Sequence, residues 1–150
     1  MGKPVLAVDI GGVIKDSGYL TGVVPKSMES LKNLKAAGIF ENIYLISQCW
    51  TPLRKLAFWW LTRHNFWDIT GISLEDVRFC NWGSTKAWHA EDLGITHFVD
   101  DRPDLLVMMP SSVSHCFLFG GSYRSNGLPK RLTHVSDWDE LYQELMKAPP

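Results

Sequence analysis

Apolar residues come in short runs along this chain, alternating with stretches whose apolar positions recur at helical spacing. Val5 to Val8 predicts a short buried strand ending in Asp9-Ile10-Gly11-Gly12. Residues 26–37 predict a helix, with Met28, Leu31, Leu34 and Lys35 near helical spacing and Gly38 as its stop. Ile43 to Ile46 is a second strand, closed by Ser47. From Pro52 to His64, Leu53, Leu56, Ala57, Trp60 and Leu61 share one helical stripe behind a proline start. Val77 to Cys80 reads as a third strand. Gly83-Ser84-Thr85 offers N-cap candidates for a helix through Leu93, closed by Gly94. Thr96 to Val99 and His115 to Phe119 are the fourth and fifth strands, and Asp137 to Lys147 is a final amphipathic helix. Strands separated by helices predict a parallel α/β sheet. Residues 120–127, rich in Gly and Ser, read as a long loop.

Composition narrows the class without naming a function. The 150 residues match the size of one ordinary domain, and 45% apolar with 21% charged residues excludes wholesale disorder. A net charge of -1 lacks the basic surplus of a dedicated nucleic-acid binder. Cys49, Cys80 and Cys116 are odd in number and unpaired by spacing, which favours a reducing compartment. No apolar run approaches the ~18 residues of a membrane span, and the amino terminus lacks a signal-peptide pattern. The expectation is a cytoplasmic protein with no membrane partner.

Four polar features fall at the ends or beginnings of these elements. Asp9 follows the first strand, Ser47 the second, Lys86 opens the helix after the third, and Asp100-Asp101 follows the fourth. Ligands of open parallel sheets bind beyond the carboxyl ends of the strands, where strand order reverses. If the first and fourth strands are neighbours there, Asp9 and the acidic pair converge. Gathered carboxylates repel one another, and a hard cation such as Mg²⁺ relieves them. Lys86 and Ser47 then supply a positive charge and a hydroxyl to an anion on the cation's far side, a set that suits phosphate. Taken singly, Asp9 is a turn or cap residue and Lys86 a helix lysine; the conjunction carries the reading.

In this order the motifs VDIGGVI, LISQCW, GSTKAW and FVDDRPD resemble the four motifs of the haloacid dehalogenase-like (HAD) superfamily, over most of the chain. A response-regulator receiver domain carries its acidic pair on the first strand, and Gly11-Gly12 does not complete a dinucleotide-binding GxGxxG. The resemblance implies a three-layer α/β/α Rossmann-like sandwich around a five-stranded parallel sheet, order 3-2-1-4-5. It implies a phosphatase-type hydrolase in which Asp9 attacks phosphorus to give an aspartyl-phosphate. Ser47 and Lys86 neutralise the phosphoryl oxygens, and Gly11, Gly12 and Gln48 join them in binding substrate. Asp9, the Gly11 carbonyl, Asp100 and Asp101 hold Mg²⁺, with Asp104 a weaker alternative to the pair.

One departure matters. The family's second acid of the first motif, its general acid and base, is Gly11 here. Removing such a group typically lowers rates about 10²–10⁴-fold. Lys15, Asp16 or a water are the substitutes in view, and the alternative function is a weak or inactive module that binds a phosphorylated ligand. Asp9 to Ser47 spans 38 positions and Ser47 to Lys86 spans 39, which the predicted core elements use up. That spacing predicts a single domain, residues 1–150, without an inserted cap; in the family it resembles, such an open site often goes with bulky or macromolecular phosphorylated substrates. Arg124, Lys130 and Arg131 form a basic loop, read first as solvated and second as a polyanion contact. Phe58, Trp59 and Trp60 cannot all face one core from a single helix; they read first as core packing and second as a partner or dimer surface. A monomer or homodimer is expected.

Overall fold

The computed structural model describes residues 2–17, 22–121 and 129–148. Its strands are β1 (Leu6–Val8), β2 (Ile43–Gln48), β3 (Val77–Cys80), β4 (His97–Asp100), β5 (His115–Phe119) and β6 (Leu132–Val135). Its α-helices are α1 (Ser27–Ala37), α2 (Arg54–Arg63), α3 (Phe66–Thr70), α4 (Thr85–Asp92), α5 (Pro103–Leu106) and α6 (Trp138–Met146). All strand pairs are parallel, in the order β3-β2-β1-β4-β5-β6.

The expected five-stranded sheet is therefore corrected to six strands, with the predicted 3-2-1-4-5 order intact inside it. The missed strand, β6, pairs with β5 from Cys116↔Leu132 to Phe119↔Val135. Its buried residues, Leu132 and Val135, are three apart, and Thr133 between them is exposed. Four residues at an edge, without a period of two, carry little strand signal. Most of the Gly/Ser-rich loop, Arg124 included, lies outside the described residues.

Alternation along each strand builds two cores. Leu6, Val8, Leu45, Val99 and Phe117 face one layer with Leu31, Leu34, Phe66, Trp138 and Leu141. Ala7, Ile46, Phe98, Cys116 and Leu118 face the other with Ala90, Ile95 and Leu106. Strands buried on both faces explain the near-continuous apolar runs. Gly38 ends α1 in the left-handed conformation, as its position predicts. Asp137 caps α6 by accepting the Glu140 amide at 2.9 Å, while the Glu140 carboxylate accepts the Ser136 amide at 3.0 Å. The α2 aromatics divide as the helical geometry requires: Trp60 is buried, Trp59 is exposed, and Phe58 packs on Trp67 and Phe79.

Arg131 is not a solvated loop cation. It precedes β6 at the edge of the sheet opposite the strand carboxyl ends, and its guanidinium donates to the carbonyls of Met109 at 2.6 Å and Pro110 at 2.8 Å. That position removes it from the site. No helix among the described residues is long and apolar enough to cross a membrane.

The same edge carries a titratable pair. His97 and His115 are register partners, their rings stacked at 4.4 Å, and His97 is buried with Phe40 against its edge. Burial, then the neighbouring His115, lowers its pKa from 6.5 to about 4. The unfolded chain takes up this proton first, so the contribution is complete above pH ~6.5 and is lost as pH falls towards the folded value. Between pH 7 and 4, wild type should lose up to about 3 kcal/mol more unfolding free energy than His97→Phe. Denaturant unfolding across that range tests it, and parallel pH profiles would refute it.

Candidate active site

Strand register creates the acidic cluster. Val8 pairs with Val99, so Asp9 and Asp100 leave adjacent parallel strands side by side, and the Asp9 amide donates to the Val99 carbonyl at 3.0 Å. Lys86, in the first turn of α4, reaches under the strand ends. Its Nζ lies 2.7 Å from Asp100 Oδ2 and 3.2 Å from Asp9 Oδ1, with all three side chains buried. The second oxygen of Asp100, Oδ1, accepts the Arg102 amide at 3.1 Å. Asp101 is half-buried, and one carboxylate oxygen from each of Asp9, Asp100 and Asp101 falls within 4.8 Å of the others.

The electrostatics show a cluster short of positive charge. Burial, reinforced by Asp100 and Asp101 and opposed by Lys86, pushes Asp9 up to about 7. Burial and Asp100 push Asp101 up to about 6. Burial works against the Lys86 ammonium, but Asp9 and Asp100 outweigh it and push its pKa up to about 12. Lys86 is thus a fixed cation, and one ammonium does not balance three carboxylates. Carboxylate oxygens in a hard, all-oxygen set suit a divalent cation, so the residues present fit one.

The loop after β1 is held tightly. Ile10, Val13 and Ile14 are buried, the Ile10 carbonyl accepts the Ile14 amide at 2.9 Å, and Trp138 Nε1 donates to the Val13 carbonyl at 2.7 Å. The two glycines in this loop differ. Gly12 has φ +80°, and a Cβ there would lie 2.1 Å from Asp101 Oδ2. Gly11 lies outside the left-handed region, and nothing stands within 4 Å of where its Cβ would be.

Beside the cluster opens a cleft of about 770 Å³, lined by Gly11, Ser47 and Gln48 among others. Ser47 and Gln48 are the last two residues of β2 rather than its sequel, and Ser47 is buried. Asp104 does not join the cluster: it is exposed and pairs with Arg102 at 2.8 Å. Sequence reasoning overlooked Arg102, which lines the cleft and donates to Gln48 Oε1 at 3.1 Å, and also Asn81 and Trp82 beyond β3. The signal for Arg102 was its place inside FVDDRPD; Trp82 had only the β2–β3 register, which no single sequence displays. Lys15 also lines the cleft, its backbone bridged to Gly11.

No family model and no curated protein matches the chain. Solved structures do. D,D-heptose 1,7-bisphosphate phosphatase from Burkholderia thailandensis superposes with a TM-score of 0.70 at 18% identity, over 97% of this chain and 99% of that one. A cobalt-bound deoxy-D-mannose-octulosonate 8-phosphate phosphatase from Haemophilus influenzae gives 0.60 at 13% identity, over 97% and 88%. The HAD domain of an effector protein from Legionella pneumophila gives 0.52 at 9%, over 97% and 95%. The chain has the HAD-like fold.

Within that fold, the two glycines make opposite demands that can be tested. Gly12→Ala should destabilise by about 1–3 kcal/mol, through its left-handed backbone and displacement of Asp101, whereas Gly11→Ala should stay within about 0.5 kcal/mol of wild type. Thermal unfolding of both variants checks the contrast, and equal losses would contradict it.

Proposed function

We propose that the chain is a phosphohydrolase acting on phosphate monoesters with a divalent cation, Mg²⁺ by the hardness of its donors. The observation that carries this reading is the buried Asp9–Lys86–Asp100 arrangement with Asp101 beside it, at the carboxyl ends of β1 and β4. The HAD-like fold and the phosphatases that share it support the same reading.

In this mechanism Asp9 is the nucleophile. Its carboxylate oxygen forms a bond to phosphorus as the ester oxygen leaves, and water then releases orthophosphate from the aspartyl-phosphate. Lys86, held by Asp100, keeps a positive charge beside Asp9 and lowers the repulsion between the nucleophile and the phosphoryl oxygens. Ser47 offers a hydroxyl donor from the cleft wall, and Gln48 and the Gly11 amide add phosphoryl contacts; the Gly12 amide, expected to join them, is spent on the Lys15 carbonyl at 2.6 Å. Asp9, Asp100, Asp101 and the Gly11 carbonyl would hold the cation, which when bound offsets negative charge on the transferring group. The single domain without a cap is part of this proposal, supported by the connections between β1, β2 and β3, which among the described residues hold only short helices.

Gly11 leaves the leaving oxygen without a carboxyl proton donor at that position. Good leaving groups need that proton least, so aryl and acyl phosphates should turn over faster than alkyl phosphates. The space around Gly11 accepts a larger side chain, so Gly11→Asp should raise the alkyl rate by about 10²–10⁴-fold, the typical worth of a general acid. Steady-state assays with an aryl and an alkyl phosphate plus Mg²⁺ measure both effects. Aryl turnover must vanish in Asp9→Asn, and an alkyl ester cleaved as fast as an aryl one by wild type would defeat the leaving-group argument. Silence in wild type with activity in Gly11→Asp would instead establish the second reading that Gly11 favours, a module that binds phosphorylated ligands without turnover.

A further inference from the structure

Two tryptophans flank the cleft in a way that core packing does not explain. Trp50 is 66% exposed and Trp82 is 72% exposed, yet both line the cleft that contains Gly11 and Ser47. Their placement follows from register. Gln48 pairs with Cys80, so each indole stands two residues beyond a matched pair at the carboxyl ends of β2 and β3. The connection is braced: the Cys49 amide donates to the Cys80 carbonyl at 2.8 Å, and Arg54 Nη2 donates to Asn81 Oδ1 at 3.1 Å. Thr51 Oγ1 reaches the same Asn81 oxygen at 3.3 Å. Leu53, Leu56 and Ala57, all half-buried, add an apolar wall. Large indoles left in water on tied loops beside a reactive cluster are groups waiting for an apolar, flat partner.

From this cleft we infer a leaving-group subsite for an aromatic ring, making the substrate class aryl phosphate monoesters, with the ring seated against Trp50 and Trp82. The inference rests on the phosphatase reading of the same site and adds its specificity. Two separate features agree. The cleft offers aromatic faces to the leaving group, and Gly11 offers it no proton, which an aryl oxide does without. As the Asp9 Oδ–P bond forms, the P–O(aryl) bond breaks and the aryl oxide departs with the electron pair, taking its proton from water. A second water adds to phosphorus, breaks the Oδ–P bond and yields orthophosphate with Asp9 restored. The sum is aryl phosphate plus water giving phenol plus orthophosphate.

Binding of inert phosphonates separates the subsite from turnover. Titration calorimetry with Mg²⁺ present compares phenylphosphonate with methylphosphonate on wild type, the Trp50→Ala/Trp82→Ala double variant and Trp88→Ala, an exposed tryptophan that does not line the cleft. Wild type and Trp88→Ala should bind the phenyl compound about tenfold more tightly, in line with ring–ring contact plus buried apolar area. The double variant should lose that preference while its methylphosphonate affinity stays unchanged, which also shows that it is folded. Equal binding of the two phosphonates by wild type, or a preference that survives in the double variant, overturns the subsite and leaves the phosphatase reading standing. Failure of both phosphonates to bind overturns the two together. A peptide carrying phosphonomethyl-phenylalanine that outbinds the free amino acid would place the ring on a polypeptide, and equal binding would place it on a small molecule; either supports the aryl class.

Discussion

The constraint on which this molecule turns is the placement of Lys86 Nζ between two buried carboxylates, Asp9 and Asp100. Burying any one of these ions alone would cost several kcal/mol, and each is tolerable only because the others are there. That mutual dependence fixes where α4 must sit relative to β1 and β4, because an ammonium misplaced by an ångström leaves charge uncompensated. The parallel register does the rest, delivering Asp9 and Asp100 to the same level from Val8 and Val99. Yet the arrangement remains out of balance, since Asp101 adds a third carboxylate within 4.8 Å. A site that holds surplus negative charge beside a fixed cation suits a divalent ion on one side and an anion on the other.

Much of this was legible in the sequence because the signals were local. Apolar runs marked five of the six strands, and the polar residues at their ends were conspicuous by interrupting them. Asp9, Ser47, Gln48, Lys86 and the Asp100-Asp101 pair all fall at or beside the strand ends where their positions place them. What escaped was non-local or faint. The strand β6 is four residues at an edge, with Leu132 and Val135 spaced more like a helix than a strand. The short helix α3 is too brief to show a period. Arg131 reads as a surface cation in sequence, yet it is bonded to carbonyls of the segment after α5, contacts that only the fold creates. Trp82 gained its meaning from pairing with the end of β2, which is likewise a property of register.

The two adjoining glycines show how closely steric and chemical demands can be separated. Position 12 is confined by geometry, since its φ of +80° and the nearby Asp101 carboxylate leave a side chain no room. Position 11 is under neither restriction. Glycine there is not demanded by the backbone, so the proposed lack of a proton donor at that position is not a by-product of the turn. The turn itself stays rigid without it, through the buried Ile10, Val13 and Ile14 and the Trp138 hydrogen bond.

This separation bears on how such a site can be selective. An enzyme with a carboxylic acid poised at the leaving oxygen cleaves good and poor leaving groups at more similar rates, so discrimination must come from contacts elsewhere. Without the acid, the intrinsic reactivity of the ester sorts substrates before any contact does, and favours those whose departing oxygen is stable as an anion. Aromatic esters meet that condition, and the ring that stabilises the anion also offers a face for an indole. In the proposed reading, chemical sorting at Gly11 and binding at Trp50 and Trp82 act on the same part of the substrate, and their effects multiply in kcat/KM. An open cleft can be selective on those terms without a lid, because the discrimination resides in the bond being broken and in two side chains at the rim.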